Sequence, residues 1–556
     1  MQKKIVLAFA IIICAELLFA APPIKGKKGF IKQCGVNSVT HKQYLAIRGI
    51  IRPTGTPVVY NVLVIRVEFQ LDYVSSTTGD GRFSSLTTQS TVEEFMDRMN
   101  AYYQENSYGL ISVSATVTTG GLGTNGSYIL NNNMSYYGSN YDDNNFALLL
   151  NDSVQAANSD YNFRDYDHYM VFHAGAGEET DVSGNSPDDI WSVYVGGITG
   201  ISADLKPITN ATFVPETGTQ DGKNQDSFGI ICHEYAHQLG LPDLYRTDGS
   251  NKSSVGVWSI MDYGIYSGNP SGSNPTHFDA WSKLQLGLIN PRATSGESVA
   301  ISLKAAESMV NGSQQQSDAF IKIEIPTATD PDNEFFLVEY RLATAEQFDN
   351  SLPASGIVIW HIDDNVGSIS ENNINNDPFH RRVDLIEQDN TDASIDYGSA
   401  GDVFGNGNTF SDQIYPSARA YNGKASGISI VSISGVGGTE IQAEITKLLA
   451  DQLFSILRIN NYPNPARNGT TTFYFAFKKP PQEITLDIFT INGENVRKIP
   501  SDSISLNSAK SENYNWVYEY FWNGKNDNGD DVAPGLYLYR VSIDDETKTG
   551  KMALIR

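Results

Sequence analysis

Cysteine is nearly absent, with three in 556 residues. So few exclude a disulfide-built scaffold and leave the fold to apolar cores. Basic residues are also scarce: 39 Lys and Arg stand against 64 Asp and Glu, a net charge of −25. That sign excludes the basic face that nucleic-acid binding requires. It suits a solvated exported chain and leaves carboxylates for structural Ca²⁺, although plain solubility explains most of them. Long apolar runs are missing beyond the N-terminus. No later stretch approaches 18 uninterrupted apolar residues, so no membrane-spanning helix is expected in the mature chain. Hydrophobic residues nevertheless make up 40% and aromatics 11%, enough to fill several interiors. The length suggests three or four domains.

The first 20 residues have the build of an export signal. Lys3 and Lys4 give a positive start, Ile5 to Phe19 is mostly apolar, and Ala20-Ala21 supplies small residues for cleavage. Glu16 interrupts the apolar run, which disfavours a stable membrane span. Cys14 follows Ile13 rather than a small residue, which disfavours a lipid anchor. A secreted or cell-surface location is expected. Cys34 and Cys232 remain in the exported chain. They allow one disulfide, although Cys232 is expected to pack in a core beside His233.

What is present is concentrated at His233-Glu-Tyr-Ala-His237-Gln-Leu-Gly240-Leu-Pro-Asp243. On a helix His233 and His237 lie one turn apart on one face, so their imidazoles can share a metal ion. Glu234 stands where a carboxylate can take a proton from water at the metal. Gly240 can end the helix in the left-handed conformation. Asp243 can then return an oxygen as third ligand, leaving one position open, as a catalytic zinc requires. The bland alternative is an amphipathic helix with two surface histidines. Ile230, Ile231, Ala236 and Leu239 supply the apolar face, and Asp226 or Ser227 can cap the start. Downstream, Ser259-Ile-Met261-Asp-Tyr263-Gly264 is a second compact element.

An extended HExxHxxGxxD followed by a Met-containing turn resembles the metzincin zinc endopeptidases. That resemblance places Met261 beneath the metal and gives Tyr263 a role in binding the zinc or steadying an oxyanion. The chain is more closely similar to the immune inhibitor A family of secreted bacterial metallopeptidases. The similarity rests on Asn61–Phe69, Tyr102–Gly109, Asp167–Gly175, His277–Gly287, Glu339–Arg341 and Gly356–Asp363, and spans roughly residues 57 to 445. The third ligand departs from the usual pattern, with Asp243 preferred and His277 the alternative. His173 and His361 are read as structural. Gln33-Cys34-Gly35-Val36 is similar to the cysteine-switch segment of matrixin propeptides, which implies a propeptide over 21–56 with Cys34 as a latency switch at the open metal position.

The expected architecture is multidomain α+β. A zincin-type α/β metallopeptidase domain occupies 57–295, with strands at Val62–Phe69, Ile111–Thr118 and Tyr169–Phe172 and a helix over Thr91–Asn106. A β-sandwich follows over 296–447, on the short apolar runs Phe320–Ile325, Phe335–Tyr340, Ile357–Ile362 and Ile428–Ile433. Asp363, Asp364, Asp384, Asp389, Asp392 and Asp402 are candidate Ca²⁺ ligands there, or ordinary acidic turn residues. A linker at 448–460 leads to a small β-sandwich over 461–556. It resembles the immunoglobulin-like domains of the flagellar hook-capping protein and of type IX secretion sorting, which implies secretion machinery as a partner. The expected function is zinc-dependent hydrolysis of peptide bonds in protein or peptide substrates. The alternatives are another zinc hydrolase and a surface adhesion protein on an inactive zincin scaffold; a scaffold has no need of Glu234.

Overall fold

The computed structural model describes residues 17–20, 57–138, 145–294, 298–308, 318–343, 348–412, 414–447, 456–477, 481, 483–506, 516–543 and 546–555. Cys34, the 21–56 segment, and most of both the export signal and the linker lie outside them. The molecule is mostly β, built from several sheets with a few helices.

The first sheet has seven strands. Val58–Glu68 lies near its middle, parallel to Ile111–Val117 on one side and His168–Ala176 on the other. Asn210–Thr217 extends the parallel set, and Val193–Gly196 then pairs antiparallel. Beyond it, the backbone of Leu17–Ala20 forms the outermost strand, antiparallel to Val193–Gly196. The apolar stretch Val62–Ile65 within Val58–Glu68 is explained by burial on both faces. Val62 and Val64 join one core, while Leu63, Ile65 and Val67 join another.

The helix expected from Thr91 begins at Gln89 and runs to Asn106. The earlier start follows from Thr88, whose side chain accepts the Thr91 amide at 3.1 Å. Val92, Met96, Met99 and Tyr103 recur at helical spacing and are buried. This helix and Phe228–Leu239 cover one face of the sheet, and Asn145–Ala157 covers the other.

The second region contains a five-stranded and a four-stranded sheet. Glu334–Arg341 and Gly356–Asp363 are buried along their whole length. Phe336, Val338, Ile357 and Ile359 face the four-stranded sheet. Phe335, Leu337, Val358, Trp360 and Ile362 share instead the core that contains Phe228, Met261 and Trp281. The interior therefore does not stop near residue 295; it continues through the five-stranded sheet. The last region, 456–555, has a four-stranded and a five-stranded sheet around a core of its own. Leu538 and Leu536 alternate with the buried Tyr537, Tyr539 and Val541, as the period-two pattern predicts.

Candidate metal centre

The helix Phe228–Leu239 is buried over its whole length. Asp226 supplies the cap, its Oδ1 accepting the Phe228 amide at 2.9 Å, whereas Ser227 makes no side-chain capping bond. Gly240 closes the helix at φ 116°, in the left-handed region, and its amide turns back to helix carbonyls. Four contacts fix the helix rotationally. Gln238 accepts from Thr212 Oγ1 at 2.8 Å and donates to Asn210 Oδ1 at 3.1 Å. Tyr235 Oη lies 2.9 Å from His168 Nδ1, and Tyr103 donates to the Cys232 carbonyl at 2.6 Å. Cys232 itself is buried in the core.

So held, the helix turns both histidine rings toward one point. His233 Nε2 and His237 Nε2 are 3.1 Å apart. The chain after Gly240 returns Asp243, whose Oδ1 is 3.2 Å from each of those nitrogens. All three side chains are fully buried. Three atoms in a triangle of this size fit a tetrahedral ion, since ligand bonds of about 2.0–2.1 Å set ligand atoms about 3.3 Å apart. The protonation pattern fits too. His233 Nδ1 faces the Ile260 carbonyl at 2.7 Å, and His237 Nδ1 faces the Leu241 carbonyl at 2.8 Å. A carbonyl can only accept, so each Nδ1 carries a hydrogen, and a ring in its neutral form then presents a lone pair at Nε2.

The electrostatics agree. Burial pulls the His237 pKa down, toward the neutral ring, although Asp243 opposes this. Burial alone would raise the Asp243 pKa, but the facing His237 and His233 rings hold the carboxyl well below its usual range. Asp243 is therefore a carboxylate pointed at two imidazoles, a donor set suited to zinc. A Glu234 carboxylate oxygen lies within 4.8 Å of the ligating-type nitrogens of both histidines. His233, Glu234 and His237 thus form a buried group of metal-competent side chains, with Asp243 beside it.

The Met261 turn lies directly against this centre. The Ile260 carbonyl that orients His233 precedes Met261, and the Met261 carbonyl accepts the Leu244 amide at 2.8 Å. Asp262, buried, gathers the amides of Ser254, Val255 and Gly256 on one oxygen at 2.7–3.1 Å. Burial lifts its carboxyl to about 6 against those bonds. Tyr263 is nearly buried, its ring centroid 4.5 Å from that of Tyr397 and 5.9 Å from that of Tyr266. Burial raises its phenol pKa, so Tyr263 keeps its proton.

The other sequence candidates lie elsewhere. His277 turns Nε2 to Glu105 at 2.7 Å and Nδ1 toward Lys283 at 3.4 Å. His173 is fully buried against the Ala174 carbonyl, and His361 pairs with Glu334 at 3.0 Å. The six aspartates considered for Ca²⁺ are each engaged by donors. Asp384 and Asp392 flank Arg381 at 2.7 Å, and Asp402 accepts from Trp258 Nε1 at 2.7 Å. Asp363 pairs with His380, Asp364 accepts from Trp281, and Asp389 accepts the Thr391 amide.

Sequence reasoning missed the residues that reach this centre from the second region. Asn372 bonds to Asp243, and Tyr397 packs on Tyr263. Asn372 belongs to Asn372-Asn-Ile-Asn-Asn376, a tract readable only as a turn. Its density of amide side chains was the one available signal.

Comparison with known proteins bears on this geometry. Residues 157–288 match the catalytic domain of the immune inhibitor A peptidases, M6. That span contains every residue of the His233–Tyr263 centre. Over 221 residues the chain is 29% identical to the pre-pro-metalloprotease PrtV of Vibrio cholerae, covering 34% of this chain and 23% of that protein. Over 130 residues it is 34% identical to immune inhibitor A of Bacillus thuringiensis subsp. alesti, covering 21% and 18% respectively. The chain thus spans less than a quarter of the length of these relatives. Wild-type OgpA from Akkermansia muciniphila aligns over 91% of this chain and 97% of its own, at 9% identity and a TM-score of 0.24, too low to inform the fold. The M6 match and the metalloprotease relatives support a metallopeptidase. No helix among the described residues is long and apolar enough to cross a membrane.

Proposed function

We propose that the chain is a zinc-dependent endopeptidase. The carrying observation is the convergence of His233 Nε2, His237 Nε2 and Asp243 Oδ1 within 3.1–3.2 Å of one another, beside Glu234. His233, His237 and Asp243 would hold the zinc. When bound, the ion supplies Lewis acidity, which acidifies water and polarises a carbonyl. Glu234 removes the proton from the attacking water and delivers it to the departing amine. Both transfers suit a carboxylate beside the ion and away from bulk solvent. Tyr263, kept protonated by burial, donates a hydrogen bond to the oxyanion as it forms. Met261 and its neighbours act by holding His233 in position.

A mode of substrate binding is also supported. Val193–Gly196 already accepts one extended segment, Leu17–Ala20, in antiparallel register on its outer side. A peptide substrate taking that edge would gain main-chain hydrogen bonds regardless of sequence.

The test is casein digestion by the purified chain. Activity should vanish with a chelator and return with zinc. Glu234→Ala should keep its zinc and lose about 10²–10⁴-fold in kcat. Tyr263→Phe should lower kcat with little change in KM. Chelator-resistant digestion would exclude the metal, and near-normal turnover by Glu234→Ala would remove that carboxylate from the reaction.

A further inference from the structure

We infer that Asn372, from the β-rich region beyond the M6 match, is a positioning residue for the metal centre. It does this by clamping the Asp243 carboxylate. The inference rests on the zinc reading above.

Asn372 holds Asp243 from two sides. Its Oδ1 accepts the Asp243 amide at 2.8 Å, and its Nδ2 donates to Asp243 Oδ2 at 2.5 Å. Oδ2 is therefore occupied, and Oδ1 is the oxygen left facing His233 and His237 at 3.2 Å. A carboxylate joined to its backbone by one rotatable Cα–Cβ bond and one Cβ–Cγ bond needs such a restraint to present a chosen oxygen. Without it, rotation would exchange or withdraw the ligand. Asp243 and Asn372 are both buried, so water does not readily substitute for the lost donor.

The clamp is itself braced. Thr247 donates its hydroxyl to the Asn372 carbonyl and its amide to Asn376 Oδ1 at 2.7 Å. Asn375 Nδ2 donates to the Leu244 carbonyl at 2.8 Å and to the Val383 carbonyl at 2.9 Å. Asn375 Oδ1 accepts the Val383 amide at 3.1 Å. The Asn372–Asn376 tract thus lies along 243–247 and ties it to the strand Val383–Leu385 of the five-stranded sheet. Asn372 has φ 51°, a left-handed conformation that asparagine tolerates better than most residues. That choice of residue satisfies backbone and ligand at once.

The same region grips the next loop. Arg381 donates to the Ser254 carbonyl at 3.2 Å, Arg341 to the Trp258 carbonyl at 3.0 Å, and the Tyr397 carbonyl accepts the Val257 amide at 2.9 Å. The β-rich region is therefore part of the metal centre's support. A donor placed behind a metal-bound carboxylate is the kind of contact whose removal costs about 10–100-fold in metal affinity.

Two substitutions test this in the full chain. Asn372→Gly keeps the positive φ and removes both side-chain bonds. Asn372→Asp tolerates the same backbone, can still accept from the Asp243 amide, and, titrated at a pH where the new carboxyl is ionised, has no donor for Oδ2. Both should raise the zinc dissociation constant about 10–100-fold in a competition titration with a chromogenic chelator. Both should alter the visible absorption spectrum of the cobalt-substituted protein, recorded at a temperature where circular dichroism shows each variant folded. Wild-type zinc affinity and an unchanged cobalt spectrum in either folded variant would overturn the inference. If wild-type protein itself takes up no stoichiometric zinc, the proposed function fails first, and this inference falls with it. Wild-type uptake with unaffected variants refutes Asn372 alone.

Discussion

His173 lies in the strand His168–Ala176 with no exposed surface, its Nδ1 at 3.0 Å from the Ala174 carbonyl. Burial lowers its pKa from 6.5 to about 4. Between those values the unfolded chain binds the extra proton and the folded chain does not. Acidification from pH 6.5 to 4 therefore favours unfolding, and the stability from keeping this ring neutral is complete only above pH 6.5. A shift of this size corresponds to up to about 3 kcal/mol. In urea denaturation with chelator present, the stability difference between wild type and His173→Gln should shrink by about that amount from pH 7 to pH 4. A constant difference would show that His173 does not titrate in this window. At this scale the sequence was most legible where chemistry is local. The spacing of His233 and His237 and the return of Asp243 follow from helix geometry and a glycine stop. Asn372 was illegible because its partner lies 129 residues away.

The helix that carries the two histidines depends on a glycine inside it. A Cβ on Gly229 would sit 2.0 Å from the Ile265 carbonyl oxygen and 3.2 Å from that of Gly272. Backbone meets backbone here: the helix packs against the turn containing Tyr263 with no side chain between. Gly229→Ala should push the two apart and destabilise the protein by about 1–3 kcal/mol, as overpacking does. Thermal melting would check this, and an unchanged midpoint would mean that the contact relaxes freely. Element types were largely readable from pattern. Runs such as Phe335–Tyr340 and Ile357–Ile362 became strands because they are short and rich in β-branched and aromatic residues. Their largely apolar character, interrupted only by Glu339 and His361, marked something further, burial on both faces, which a run read by itself does not distinguish from one core face and a hydrophobic edge.

Across the whole molecule, the interior under the candidate metal centre is shared. Trp360 of the five-stranded sheet lies in the same core as Met261 and Phe228. Trp258, beside the Met261 turn, donates to Asp402. The sequence suggests a boundary near 295 because composition changes there, from helix-bearing segments to short strands. Composition tracks chain order, whereas a core is assembled from residues far apart in it. The central claim is that two imidazoles and one carboxylate, braced by both regions, grip a single divalent ion. Its most direct test is a calorimetric zinc titration of the metal-free full chain beside Asp243→Ala. The account predicts one zinc per wild-type chain, and for Asp243→Ala an affinity weaker by at least about 100-fold. Equal affinity in the two proteins, or no zinc uptake by the wild type, would contradict it.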